Sequence, residues 1–149
     1  MKTPRLFVPS LILAAALLGC GKKLEEEKST YSYFGSGGEK AEKGDADAQR
    51  RLGDMYESGF GVAKDAVEAV KWYRKAAIQG NPFGQLYLGR MYGYGLGVTK
   101  DNVEAYKWFL LAEAQRTGVA EGDISYSERH LTAAQRAEGR RRADEFKKK

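Results

Sequence analysis

The chain has 149 residues, of which 42% are hydrophobic and 30% charged, a balance typical of one globular domain rather than a disordered or membrane-embedded protein. It contains one cysteine and one histidine, which excludes a disulfide framework, a zinc site of the usual Cys/His kind and catalysis by two histidines. The formal net charge of +5 belongs to the ends of the chain, because residues 20–128 hold 15 basic and 17 acidic side chains. We therefore expect no nucleic-acid partner.

Residues 1–19 have the composition of a secretory leader. Met1 to Arg5 is positively charged, and a 14-residue apolar run follows from residue 6 to residue 19. This run is too short for a membrane-spanning helix, which needs ~20 apolar residues, but it fits the apolar part of a signal peptide.

The leader ends in Leu17-Leu18-Gly19-Cys20, which resembles the lipobox of bacterial lipoproteins. The resemblance implies a lipoprotein signal peptide over residues 1–19 and lipidation of Cys20, a permanent membrane anchor. Gly21 stands where Asp often marks inner-membrane retention, so the outer membrane is favoured over the inner one. The alternative is an ordinary signal peptide that is cleaved elsewhere in the run. Residues 20–38 are polar and lack apolar periodicity, which predicts a flexible tether.

Two segments, residues 44–79 and 80–115, repeat one another at a constant offset of 36 residues. In each unit apolar residues recur at helical spacing until a Gly-x-Gly-Val turn ends the first helix. Asp65 and Asp101 are suited to cap the second helix, which carries Trp72 or Trp108. One short hairpin cannot bury its apolar faces alone, so we expect the units to stack and to bury both tryptophans.

The pattern Ala-Gln-x-x-Leu-Gly-x-x-Tyr, Gly-x-Gly-Val-x-x-Asp and Ala-x-x-Trp-aromatic resembles the Sel-one-like repeat, a relative of the tetratricopeptide repeat. The resemblance implies an all-α fold, a short right-handed α-solenoid of about six helices over residues 39–149. Residues 116–149 would then hold an eroded third unit and a C-terminal capping helix. The capping box formed by Thr132 and Gln135 is expected to begin that last helix.

No group of residues in the sequence predicts catalysis. The glycine-rich segment 93–97 follows a helix rather than a strand and recurs in both units, so it predicts a structural turn rather than a nucleotide-binding loop. His130 has no second histidine or cysteine to act with, and no nucleophile motif accompanies it. We therefore expect no enzyme activity, no cofactor and no metal.

The first helices of the two units differ at positions that the fold does not require to be alike. In each of the two helices there are three such positions, spaced i, i+3 and i+7, so the three side chains of a helix share one face. In the repeat family that the chain resembles, the first helices line the concave surface, and Tyr and Arg are enriched at binding hot spots. A protein-binding groove is therefore predicted at Arg51, Asp54, Ser58, Tyr87, Arg90 and Tyr94. The alternative, that these side chains are simply exposed, stays open.

The sequence thus predicts a membrane-anchored periplasmic lipoprotein that binds another protein through the concave face of its repeats. One alternative, suggested by the family resemblance, is an immunity protein that neutralises a secreted phospholipase-type toxin. Another is a cell-envelope hydrolase or an accessory to such an enzyme. The paired cysteines of the relatives to which that role was attributed are absent from this chain.

Overall fold

The computed structural model describes residues 37–116 and 118–148. These residues form helices joined by short turns, without a strand. The predicted signal peptide, the lipidation at Cys20 and nearly all of the predicted tether lie outside the described residues. The helices are α1 (37–42), α2 (Ala46–Ser58), α3 (Ala66–Ile78), α4 (Pro82–Tyr94), α5 (Asn102–Gln115), α6 (Glu121–His130) and α7 (Ala133–Lys147). The predicted all-α repeat solenoid is confirmed.

Side-chain caps and glycines set the bounds of the helices in the two repeats. Asp65 and Asp101 each accept hydrogen bonds from two backbone N–H groups at the start of α3 and α5, as predicted. Gly59 and Gly95 adopt left-handed backbone conformations, with φ of 78° and 69°, at the ends of α2 and α4. A side chain at either position would strain the turn, since β-carbons disfavour positive φ.

The repeats stack through equivalent contacts. α2 packs on α3, α3 on α4 and α4 on α5, so that each hairpin covers the next. Gln49 donates a 3.0 Å hydrogen bond from Nε2 to the carbonyl oxygen of Ala41, at the end of α1. Gln85 donates one of 3.1 Å to the carbonyl oxygen of Ala77, at the end of α3. The glutamine of the repeat pattern therefore links each unit to the preceding helix.

The two tryptophans lie in the core, as the repeat predicted. The exposed fraction is 7% for Trp72 and 4% for Trp108. Tyr73 and Tyr106 are fully buried between successive helices. Burying large aromatic side chains is the main stabilising contribution that such short hairpins can make.

The last helix closes the stack in a different way from the repeats. The predicted capping box is present: the backbone N–H of Gln135 donates to the Thr132 hydroxyl, and the backbone N–H of Thr132 donates to Gln135 Oε1. α7 packs on α5 rather than pairing with α6. The Phe146 ring meets the Trp108 ring edge-on, with ring centroids 5.2 Å apart. None of the helices in residues 37–116 and 118–148 combines the length and the apolar composition of a bilayer-spanning segment.

Candidate binding groove

Two cavities lie along the side of the solenoid formed by α2, α4 and α6, which we call the A-helix groove. The α2–α4 pocket has a volume of about 460 Å³ and lies where α2, α3 and α4 meet. The α4–α6 pocket has a volume of about 330 Å³ and lies where α4, α5 and α6 meet. Each cavity is therefore formed by one hairpin and the first helix of the next unit.

The two cavities are equivalent under the 36-residue offset. Eight lining positions of the first cavity recur in the second, and their side chains differ at seven of the eight. The pairs are Asp54/Arg90, Glu57/Gly93, Ser58/Tyr94, Lys64/Lys100, Ala66/Asn102, Tyr73/Phe109, Tyr87/Asp123 and Met91/Ser127. The fold thus builds the same cavity twice and gives each copy its own chemistry.

The α2–α4 pocket is acidic at its inner wall. The Tyr73 hydroxyl lies 2.6 Å from Glu57 Oε2 and 2.9 Å from Asp54 Oδ1, so a single hydrogen serves two carboxylates. Arg50 forms an ion pair with the outer oxygen of Asp54. Burial raises the pKa of Asp54, and burial together with the hydrogen bond to Glu57 raises the pKa of Tyr73 far above its usual range. Tyr73 therefore stays a neutral donor at physiological pH.

Tyr87 and Ser58 complete the wall of this pocket while making contacts inside the fold. The Tyr87 ring is half-buried, and its centroid lies 5.3 Å from that of Tyr73. The Ser58 hydroxyl donates a 2.7 Å hydrogen bond to the carbonyl oxygen of Asp54, in the same helix. Both side chains thus have a structural role in addition to lining the cavity.

The α4–α6 pocket has an apolar floor and a mixed rim. Phe109 lies where the first cavity has Tyr73, so the hydroxyl group is missing from the floor. Arg90 donates two hydrogen bonds to Asp123, from Nε at 3.2 Å and from Nη2 at 2.9 Å. At the other side of the rim the rings of Tyr126 and His130 are stacked, with centroids 4.0 Å apart.

The six predicted binding residues are distributed along the groove rather than gathered in one site. Asp54, Ser58 and Tyr87 line the α2–α4 pocket, and Arg90 and Tyr94 line the α4–α6 pocket. Arg51 is exposed on α2 outside both cavities, next to the shallow depression around Phe60.

Comparison with known proteins assigns the family of the chain. A family model described as Sel1 repeat matches residues 46–81 and 82–116. The chain is a Sel1-like repeat protein. Proteins with Sel1 repeats generally mediate protein–protein interactions and are typically non-catalytic scaffolds.

Two solved structures share the Sel1 architecture with the chain. A protective antigen present in uropathogenic Escherichia coli strains, which displays an SLR fold, is 31% identical with a TM-score of 0.74, over 85% of this chain and 30% of the antigen. A Sel1 repeat protein from Oxalobacter formigenes is 32% identical with a TM-score of 0.59, over 70% of this chain and 49% of that protein. The chain thus spans half or less of the length of these relatives. No curated protein matches it.

Three further groove residues follow from continuing the Sel1 repeat register by one more step. Asp123, Tyr126 and His130 lie 36 residues after Tyr87, Arg90 and Tyr94, and all three line the α4–α6 pocket. Sequence reasoning missed them because the third unit has lost the tyrosine and the glycine turn that mark a repeat. The constant offset was the signal that could have found them. Among the described residues, no three His, Cys, Asp or Glu side chains come together in a way that could hold a metal ion.

Proposed function

We propose that the protein is a membrane-anchored periplasmic lipoprotein that binds another protein through the A-helix groove. One observation carries this proposal: the groove contains two equivalent cavities whose linings differ at almost every position. The fold repeats its tryptophans, whereas seven of the eight shared lining positions differ, including Tyr87 and Ser58, which also make contacts inside the fold. The variable lining therefore supports specific recognition of a partner.

The exposed aromatic side chains of the groove support the same proposal. Tyr94 is 73% exposed and Tyr126 is 59% exposed, and both lie at the rim of the α4–α6 pocket. Tyrosine combines a large apolar ring with a polar hydroxyl and loses little conformational entropy on binding, so it is enriched at the centres of protein interfaces. Two exposed tyrosines at one cavity are suited to anchor a partner.

The proposed location is supported by the sequence of the leader. The apolar run that ends at Cys20 resembles a lipoprotein signal, and the lipid chains on that cysteine would hold the domain at the periplasmic face of a membrane. Gly21 in place of Asp favours the outer membrane.

A crosslinking pulldown from membranes tests the groove. Wild type should recover a partner protein in stoichiometric amount, and the variant Tyr94→Ala/Tyr126→Ala should lose it, because truncating two hot-spot tyrosines costs ~2 kcal/mol or more in binding. Lys71→Ala is the matched control, since Lys71 is an exposed residue of α3 that lines neither cavity. Equal recovery by the tyrosine variant, with its helical circular dichroism unchanged, would contradict the proposal.

The Cys20→Ser variant tests the anchor in the same experiment. Without the acceptor thiol no lipid is attached, so the protein should move from the membrane pellet to the soluble fraction. If this variant still pellets with membranes after a salt wash, the lipoprotein assignment fails, whatever the groove variants show.

A further inference from the structure

The α4–α6 pocket differs from the α2–α4 pocket in ways that change what it can bind. Its charged wall residue is Arg90 instead of Asp54, and its floor is Phe109 instead of Tyr73. The position of Glu57 is taken by Gly93, so one carboxylate and its whole side chain are missing from the wall. These replacements remove a hydroxyl and a carboxylate from the cavity and reverse the sign of its net charge.

Gly93 is a helical glycine that the packing does not require. In the same helix, a β-carbon at Gly89 would lie 2.6 Å from the Phe109 ring, so a side chain is excluded there. A β-carbon at Gly93 would meet the Ala105 side chain at 3.7 Å, an ordinary contact, and the φ angle of Gly93 is negative. Glycine weakens a helix relative to alanine. The missing side chain thus leaves the wall of the cavity open at a cost to helix stability.

The rim of this cavity carries an uncompensated positive charge. The charge of Arg90 is balanced by its two hydrogen bonds to Asp123. Lys100, at the same rim, forms no ion pair with any residue of the described part of the chain. An anionic group beside the cavity would therefore gain attraction from Lys100 without breaking an existing ion pair.

We propose that the α4–α6 pocket receives an aromatic side chain of the bound protein, next to an acidic side chain that contacts Lys100. The Phe109 floor and the exposed rings of Tyr94 and Tyr126 offer the faces and edges against which an aromatic ring packs. This inference rests on the proposed function, because the occupant is a segment of the partner. It adds the chemistry that the partner must present.

A titration with two defined peptides tests the inference. The probes are the acetylated and amidated pentapeptides Gly-Asp-Phe-Asp-Gly and Gly-Lys-Phe-Lys-Gly, added to the ¹⁵N-labelled full chain in detergent and followed by NMR. The acidic peptide should shift the amide signals of Gly93 and Ala105. The basic peptide should bind about tenfold more weakly, because its charges face Lys100.

Two glycine variants locate the binding. Gly93→Leu fills the wall of the cavity and should weaken the acidic peptide about tenfold or more. Gly122→Leu is the matched control: Gly122 is also a helical glycine with open space around it, but it does not line the cavity, so affinity should be unchanged. An unperturbed spectrum away from position 93 shows that Gly93→Leu is folded.

Several results would overturn the inference. They are equal affinity for the two peptides, undiminished binding by folded Gly93→Leu, or no shifted amides at about 10 mM acidic peptide. If any of these occurs while Tyr94→Ala/Tyr126→Ala still loses the partner in the pulldown, the inference fails and the groove proposal stands. If the tyrosine variant keeps its partner, the groove proposal fails, whatever the peptides show.

Discussion

Glycines at equivalent positions show how single residues set the spacing between helices. A β-carbon at Gly53 would lie 2.6 Å from the Tyr73 ring, and one at Gly89 would lie 2.6 Å from the Phe109 ring. In both hairpins the buried aromatic ring therefore lies directly on the backbone of the first helix. The Leu-Gly pair of the repeat was visible in the sequence, but the reason for its glycine is the ring of a residue 20 positions later.

The two glycines of α4 should respond to alanine in opposite directions. Gly89→Ala should destabilise the protein by ~1–3 kcal/mol, because the added methyl group overpacks the contact with Phe109. Gly93→Ala should stabilise it by up to ~0.5 kcal/mol through helix propensity. Denaturant unfolding of both variants measures the difference. Equal stability of the two would show that the Gly89 contact is not tight.

Ion pairs link the basic helix α7 to α5 and stabilise the helix itself. Arg142 reaches Glu104 of α5 at 3.2 Å and Glu138 of its own helix at 2.8 Å. Arg141 pairs with Glu138 and with Glu145. The positive charges of Arg141 and Arg142 are thus largely compensated by acidic side chains.

The pKa of Glu138 makes this arrangement dependent on pH. Arg141 and Arg142 hold the pKa of that carboxyl at about 2, below its ordinary value of 4.5. A lowered carboxyl pKa stabilises the folded state above pH 4.5, and that contribution is lost as the pH falls toward 2. Glu138→Gln should therefore lower Tm near neutral pH and have a much smaller effect near pH 2. A Tm difference that persists unchanged in acid would contradict this assignment.

For the molecule as a whole, the internal repeat made most of the fold predictable from the sequence. The offset of 36 residues predicted the helical hairpins, the caps at Asp65 and Asp101, and the burial of both tryptophans. The packing of α7 on α5 could not be predicted from this offset, because no earlier unit has an equivalent of that contact.

The candidate site was predictable in part, for a physical reason. Helical spacing placed Arg90 and Tyr94 on one face, and the structure places them in one cavity. The cavity itself needs three helices, and its lining includes Asp123, which pairs with Arg90. Contacts between units depend on how the hairpins stack, and spacing within a single helix does not contain that information.

Photo-crosslinking in cells shows whether the A-helix groove is the binding surface. A photoreactive benzoylphenylalanine is placed at position 94 in the groove and, in a second variant, at position 71 on the exposed face of α3. A crosslinked partner protein is expected from position 94 and none from position 71. A partner crosslinked from position 71 and not from position 94 would show that the protein binds its partner elsewhere than in the A-helix groove.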